Sequence, residues 1–402
     1  MAFPRKRDGH GFLRGLPVNI EGSKASRPLT ETDGSEDSVL LVSLDTGQES
    51  VGAAELLEEL EILLGTLGKT TVRKMIQYRD REDPATFIGK GKAIELREIA
   101  RETGAHLVVI DASLTPVQAK NLSEKSGCIV WDRPRVIMEV FRKRARSSEA
   151  KLQVELALCR YEIPHLKGLG MQMSRAGAGI ATRGPGETEF ERHRRKLERR
   201  IRNIEKKLGA IRARRENQRK RRSRSGLPLY SLVGYTNSGK STLFRALCGD
   251  PLVCSRDQLF TTLDTTVRAF RLPNFGPALI TDTVGFIRNL PPDLIAAFRA
   301  TLEEIREADV LIWVVDATKI EDETILVSVE RTLQDLGVWE MPRIIALNKT
   351  DLVGREAVEH FIRRYGHKGE RVIPICALTQ NGLPELTKEM ERVVTEGKLS
   401  RL

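Results

Sequence analysis

The segment Gly234 to Ser241, GYTNSGKS, has the spacing G-x-x-x-x-G-K-[ST], and that spacing leaves little choice of local structure. Glycines at both ends let the backbone curl close to a polyphosphate. Successive amide groups then open into a helix N-terminus, which suits an anion. The flanks agree: Leu229 to Val233 reads as a buried strand, and Ser241 to Cys248 suits a helix. In such a unit Gly234, Tyr235, Thr236, Asn237, Ser238, Gly239, Lys240, Ser241 and Thr242 surround the phosphates. Lys240 reaches the β and γ oxygens, and the Ser241 hydroxyl binds Mg²⁺.

Three more short motifs follow in order, each after an apolar strand. DTVG, Asp282 to Gly285, follows the run Ala278 to Ile280. Asp282 there can hold Mg²⁺ through water, with Thr283 and Val284 beside the phosphates and the Gly285 amide placed to sense the γ-phosphate. NKTD, Asn348 to Asp351, follows Ile344 to Leu347. Asp351 can accept two hydrogen bonds from the N1–H and 2-amino group of guanine; adenine offers neither, so the carboxylate selects GTP over ATP. Asn348 can help hold the loop and approach the base, and Lys349 lays its stem on the ring. Cys376, Ala377 and Leu378, after Val372 to Ile375, supply a backbone N–H to guanine O6. Four such motifs at strand ends imply an α/β P-loop GTPase domain, because ligands bind at that edge of open parallel sheets.

Between the first two motifs lies LFTTLDTTVR, Leu259 to Arg268, the expected first switch. It contributes Phe260, Thr261, Thr262, Leu263 and Asp264. Thr262 is the candidate Mg²⁺ ligand, with Thr261 the alternative because spacing does not separate them. Lys240, Thr262 and Gly285 are thus the candidate catalytic groups. Phe286 occupies the place after D-x-x-G where a water-orienting glutamine often stands. A phenyl ring cannot orient water by hydrogen bonding, so intrinsic hydrolysis is expected to be slow and a partner to complete the site. Asn237 stands where a loop side chain can help bind a monovalent cation, K⁺, beside the phosphates; the alternative is a plain loop hydrogen bond.

The chain has 402 residues, too many for one ordinary core, so two or three domains are expected. No apolar run approaches the ~20 residues of a membrane span. The five cysteines show no paired spacing, which fits reduced thiols in the cytoplasm. The scattered histidines predict no zinc site. Charge is concentrated: Arg192 to Arg224 holds 17 Lys and Arg against three Asp and Glu, an excess of +14 that exceeds the +11 of the whole chain. Such a concentration points to a polyanion, with nucleic acid first; the alternative is a solvated charged helix.

Residues 1–37 are rich in Gly, Ser, Asp and Lys and are expected to form a flexible tail. From 38 to 148 strand and helix signals alternate: Val39 to Leu44, Ala53 to Leu67, Thr70 to Tyr78, Ala93 to Ala100, His106 to Asp111, Pro116 to Lys125, Cys128 to Asp132, and Pro134 to about Arg146. That order argues an N-terminal parallel-sheet α/β domain. FIGKGK, Phe87 to Lys92, lacks P-loop spacing and reads as a helix N-terminus able to meet phosphate. From 149 to 225, Leu152, Leu156, Cys159, Ile163 and Leu166 are spaced 4-3-4-3, and Leu197, Ile201, Ile204, Leu208 and Ile211 repeat the rhythm. Two matching stripes predict an antiparallel helical hairpin. Pro164 is expected to end or kink its first helix, a glycine-rich tip loop to span 167–186 with Arg175 and Arg183, and Arg212 to Ser225 to fray into a basic linker. The nucleotide domain then occupies 226–402.

DPATFIGKGKAIEL, QVELALCRYEIPHL, GIATRGPGETEFERHRR, GYTNSGKSTLF and DTVGFIRNLPPDLIAAFRATLEE together resemble the HflX family of ribosome-associated GTPases, from about Ser38 onward. The resemblance implies an N-terminal domain and hairpin that bind the large ribosomal subunit and its ribosomal RNA, with the tip directed towards the peptidyl-transferase centre. It implies splitting of stalled or idle ribosomes by the GTP form, and hydrolysis stimulated by the large subunit. It implies no DNA partner, and the protein is expected to be a cytoplasmic monomer. Ala178 and Ala181 stand where the family often has glycine, Thr265 where proline is frequent, and Cys376 where serine is usual. Some relatives continue into a further C-terminal domain, whose contacts are expected to be missing in a chain ending at Leu402. Two other readings stay open: a large-subunit assembly GTPase, and an RNA-binding or remodelling module with the G domain as its regulatory switch.

Overall fold

A computed structural model describes residues 37–47, 52–176, 185–223, 226–249, 266–288, 294, 296–297, 305–367 and 369–399. The expected tail, apart from Asp37, lies outside the described residues, as does the first switch, Phe260 to Asp264.

The first sheet has four parallel strands in the order β2-β1-β3-β4. They are β1 (Ser38–Asp45), β2 (Thr70–Tyr78), β3 (Leu107–Ile110) and β4 (Ile129–Asp132). Helices α1 (Ala53–Leu67), α2 (Lys90–Thr103), α3 (Pro116–Ser126) and α4 (Arg133–Arg144) cross between or follow them. Strand β1 is apolar on both faces, as a covered parallel strand requires. Val39 and Leu41 join a core with Leu57, Leu60 and Leu64 of α1, while Leu40 and Val42 join another with Ile88, Leu96 and Val108. Local signals set the helix starts: Thr115 and Gln118 form a capping box on α3, and the Asp132 carboxylate accepts from the Arg135 amide at 2.9 Å on α4. Gly89 precedes the first residue of α2, so FIGKGK does enter a helix N-terminus.

Helices α5 (Ser148–Ala176) and α6 (Pro185–Ser223) form the hairpin. Only eight residues separate them, a reach of at most about 30 Å. That is too short to return along the roughly 43 Å of α5, so the pair is antiparallel. The buried stripe runs through Leu156, Cys159, Leu197, Ile204 and Leu208, with Leu152 and Ile201 packed beside it. Arg160 reaches Glu205 at 2.8 Å and Arg200 pairs with Glu155 across the seam.

Two local expectations change here. Pro164 does not end α5, which continues through it to Ala176. A proline removes one helical hydrogen bond, and the seam against α6 holds the turns on either side of it. Residues 167–176 are therefore helical, and 177–184 lie outside the described residues. Arg212 to Ser223 is also helical rather than a linker. Arg, Lys, Glu, Gln and Ala are strong helix formers, and the segment contains no proline or glycine to stop it.

The second sheet has six strands in the order β10-β9-β8-β5-β7-β6. These are β5 (Leu229–Val233), β6 (Thr266–Leu272), β7 (Gly276–Asp282), β8 (Val310–Asp316), β9 (Arg343–Asn348) and β10 (Val372–Pro374). All neighbours are parallel except β6, which pairs antiparallel with β7. One face packs on α7 (Lys240–Cys248) and α10 (Leu383–Leu399), the other on α8 (Glu323–Asp335) and α9 (Arg355–Gly366). The parallel strands bring the residues after β5, β7, β9 and β10 to one edge. Among the described residues no helix is long and apolar enough to cross a membrane.

Candidate nucleotide site

The loop after β5 is shaped by contacts that only glycine permits at two points. Gly234 has φ 145°, and a β-carbon there would stand 2.3 Å from the Val314 carbonyl oxygen. Gly239 has φ 93°, and its β-carbon would stand 2.1 Å from Asn348 Nδ2. Asn237 also takes a left-handed conformation, φ 62°, which asparagine tolerates better than most residues. The Thr236 and Ser238 hydroxyls are buried and find no hydrogen-bond partner among the described residues.

Lys240 opens α7 and is buried; its Nζ donates to the carbonyls of Gly234 at 3.0 Å and Tyr235 at 2.6 Å. Burial draws its ammonium down to about 8, against the opposing pull of Asp282. Next to it Ser241 Oγ donates to Asp282 Oδ2 at 2.8 Å, which sets a hydroxyl and a carboxylate together at the helix N-terminus. Thr242 follows on α7, half-buried.

The segment after β7 is fastened to the loop. Thr283 Oγ1 donates to the Leu232 carbonyl at 2.6 Å. Phe286 makes a two-bond bridge: its amide donates to the Gly234 carbonyl at 3.0 Å, and its carbonyl accepts from the Thr236 amide at 2.7 Å. Its ring is 1% exposed and belongs to the core under α8 and α9. The buried Gly285 and Val284 lie between these anchors.

Asn348 joins the remaining pieces. Its Nδ2 donates to the Ser238 carbonyl at 2.9 Å, and its Oδ1 accepts from the Ala377 amide at 2.9 Å. The Cys376 amide donates to the Asn381 carbonyl at 2.9 Å. Two of the three amides that the sequence offers to guanine O6 thus have protein acceptors, and Leu378 stands exposed beyond them. Lys349 is left-handed, φ 63°, and its Nζ reaches Asp316 Oδ2 at 2.7 Å. Asp351 sits exposed on the turn Thr350–Leu352, whose Thr350 hydroxyl donates to the Ile375 carbonyl at 3.0 Å. Every described candidate therefore lies along one edge. Phe260, Thr261, Thr262, Leu263 and Asp264 fall outside the described residues.

Sequence reasoning misses one set of neighbours. The Tyr235 hydroxyl donates to Glu59 of α1 and accepts from the Arg288 amide at 3.1 Å. Glu59 and Tyr235 are 176 positions apart, so no local pattern could have paired them. The available signal was Glu55 and Glu59, one turn apart beside the leucine stripe of a helix that also carries Glu58 and Glu61.

Comparison with known proteins agrees with this arrangement. Three family profiles match, described as GTP-binding GTPase N-terminal over residues 54–142, GTP-binding GTPase Middle Region over 144–222, and 50S ribosome-binding GTPase over 230–349. The chain is 43% identical to GTPase HflX of Caldanaerobacter subterraneus subsp. tengcongensis, covering 89% of this chain and 80% of the relative. It is 39% identical to GTPase HflX of Escherichia coli, covering 83% and 77%. A crystal structure of SsGBP in complex with GDP superposes with a TM-score of 0.50 at 26% identity, covering 90% of this chain and 99% of that one. The chain belongs to the HflX family of GTPases.

Proposed function

We propose that this GTPase binds the large ribosomal subunit in its GTP form and splits stalled or idle ribosomes, and that hydrolysis stimulated by the subunit ends the contact. The observation that carries this reading is a shared apolar core. Val154, Leu156, Ala157, Ile204 and Leu208 at the base of the hairpin belong to the same cluster as Val284 and Ile287, which flank Gly285 and Phe286. A segment displaced by the γ-phosphate would therefore disturb the root of the hairpin, because close-packed interiors transmit strain. Along α6 the cations Arg192, Arg195, Lys196, Arg199, Arg202, Lys206 and Lys207 are exposed, a surface suited to ribosomal RNA. The match to a 50S ribosome-binding GTPase profile supports the same partner. In this reading the protein acts as a cytoplasmic monomer and does not act on DNA.

Within the site, Lys240 would exchange its two loop carbonyls for β and γ oxygens, and the amides of residues 235–241 would cradle the phosphates. The Gly285 amide would meet the γ-phosphate. Asp351 would hold the guanine N1–H and 2-amino group and Lys349 would cover the ring. The O6 contact falls to Leu378, whose neighbours' amides are taken. Ser241 Oγ and Asp282 Oδ2 are all-oxygen donors that fit Mg²⁺, a hard cation; Ser241 would hold it directly and Asp282 through water, with Thr262 the further ligand expected from the sequence. When bound, Mg²⁺ would neutralise charge on the β and γ oxygens. Phe286 is sealed in a core and cannot orient water, so the ribosome would complete the site, and K⁺ held near Asn237 beside the phosphates would do the work of an arginine finger.

Sedimentation tests the reading. Intact ribosomes incubated with the protein and a non-hydrolysable GTP analogue should yield free subunits, and a chain shortened within 170–184 should still bind nucleotide while yielding fewer. Ribosomes that stay intact overturn the splitting role. Enrichment on precursor particles instead would favour large-subunit assembly.

A further inference from the structure

A chain of polar groups reaches the phosphate loop from the first sheet. Asp111, at the end of β3, pairs with Arg133 at 2.7 Å, and Arg133 also pairs with Glu59. The Arg133 side chain is 2% exposed. Burial would lower its basicity, but the Glu59 and Asp111 carboxylates outweigh this and hold it above its ordinary value. Burial acts oppositely on Asp111, raising its carboxyl against the pull of Arg133. Glu59 accepts from the Tyr235 hydroxyl, which burial and that same carboxylate keep protonated. The hydroxyl in turn accepts from the Arg288 amide, and the Arg288 guanidinium reaches Glu55 at 3.3 Å and also Asp322.

Burying a guanidinium is costly unless it is paired; Arg133 pairs through both Nη atoms, while its Nε finds no partner among the described residues. Here the buried cation holds one carboxylate in a single orientation, and that carboxylate meets one phenol. The phenol sits in the phosphate loop, between Gly234 and Thr236, the two residues bridged to Phe286. It also caps the amide of Arg288, three residues after Gly285. Loop and switch segment are thus registered against each other through a group whose position is set from α1. The two faces of α1 divide the work: Leu56, Leu57, Leu60, Leu63 and Leu64 are buried, while Glu55 and Glu59, one turn apart, meet Arg288 and Tyr235.

We propose that Glu59 is a positioning residue for GTP hydrolysis, acting through Tyr235 to fix where the Gly285 amide stands relative to the phosphate loop. The first sheet and its helices then contribute to the rate of hydrolysis. The inference is independent of the ribosomal reading and rests on Gly285 as the γ-phosphate contact.

The test uses the full chain without ribosomes, comparing Glu59→Ala, Tyr235→Phe, the double variant and Glu59→Gln. Each of the first two should lower kcat about tenfold, the size of one hydrogen bond to a charged group, with GDP affinity within about twofold. The double variant should be no slower than the slower single, since both remove one interaction. Glu59→Gln keeps one acceptor oxygen but turns its NH₂ towards Arg133 or the phenol, so its kcat should fall between those of the unaltered protein and Glu59→Ala. Glu58→Ala, an exposed neighbour on α1, should leave kcat unchanged. Unaltered kcat in Tyr235→Phe, or multiplicative losses in the double variant, overturns the proposal. If Glu59→Ala does not fold, Tyr235→Phe decides, because it deletes one oxygen and leaves the Arg133 pair intact. Gly285→Ala run alongside separates the underlying reading: if it weakens GTP-analogue and GDP binding equally, the γ-phosphate contact is wrong, whatever the Glu59 cycle shows.

Discussion

Gly285 and Lys240 are packed so closely that a β-carbon on Gly285 would stand 2.9 Å from Lys240 Nζ, and 3.0 Å from Thr236 Cα. The lysine end can shift, but the Thr236 backbone cannot, since its amide is bonded to Phe286. Gly285→Ala should therefore push the switch segment away from the loop. GDP does not require the Gly285 amide, so its affinity should stay within about threefold. Affinity for a GTP analogue and kcat should each fall at least about tenfold, the worth of one charge-assisted hydrogen bond. Titration with both nucleotides and a phosphate-release assay read the difference.

Asn348 is a rivet, not a surface reader of the base. It is 3% exposed and ties the Ser238 carbonyl to the Ala377 amide. Asn348→Ala leaves both groups buried without that partner, at about 1–3 kcal/mol each. Nucleotide affinity should fall about a hundredfold or more, alike for GTP and GDP, because the joint supports loop and base pocket together. Asn348→Asp keeps an acceptor for Ala377 and loses the donor to Ser238, so it should fall between. A loss confined to GTP would show that Asn348 acts on the γ-phosphate side instead.

The nucleotide edge is legible in the sequence because its signals are local. A glycine that must hold φ 145°, or an aspartate that ends a strand, declares itself within a few residues. The first sheet is legible for a similar reason: βαβ order forces parallel pairing. Elements settled by distant packing are less so. Pro164 reads as an end or a kink, and the α6 seam carries α5 past it. Strand β6 begins at Thr266, inside the stretch read as switch, because β7 offers it an edge. The Asp111–Arg133–Glu59–Tyr235 relay joins the ends of β3 and β5 through α4 and α1, and nothing in any one segment implies the others.

Asp351 stands exposed on a turn pinned by Thr350 to Ile375, so its carboxylate is offered to a ligand on a fixed frame. Asp351→Asn replaces one acceptor oxygen with an NH₂ donor that faces the 2-amino group of guanine. Two donors then oppose each other, at a cost of about 2–4 kcal/mol. GTP affinity should fall roughly a hundredfold, while xanthosine triphosphate, with a carbonyl at that position, should gain. Competition between the two triphosphates measures the switch, and unchanged selectivity would remove Asp351 from the base site.

Lys240 supplies a pH dependence with a definite sign. Its ammonium titrates near 8 in the free protein because burial outweighs the attraction of Asp282, whereas its ordinary value is 10.5. Between those values the unfolded chain binds more protons than the folded one, so this group makes the free protein more stable as pH rises through the window. Nucleotide binding works the other way: a polyphosphate favours the charged amine, so binding above pH 8 must take up a proton. GDP affinity should fall about sixfold between pH 7 and 8.8, a range short of the titration of guanine itself. Over the same range, proton uptake should rise from about 0.1 to about 0.9 per GDP, read by calorimetry in buffers of different ionisation enthalpy. Affinity and uptake that stay flat across that range would mean Lys240 is already charged in the free loop, held there by the carbonyls of Gly234 and Tyr235.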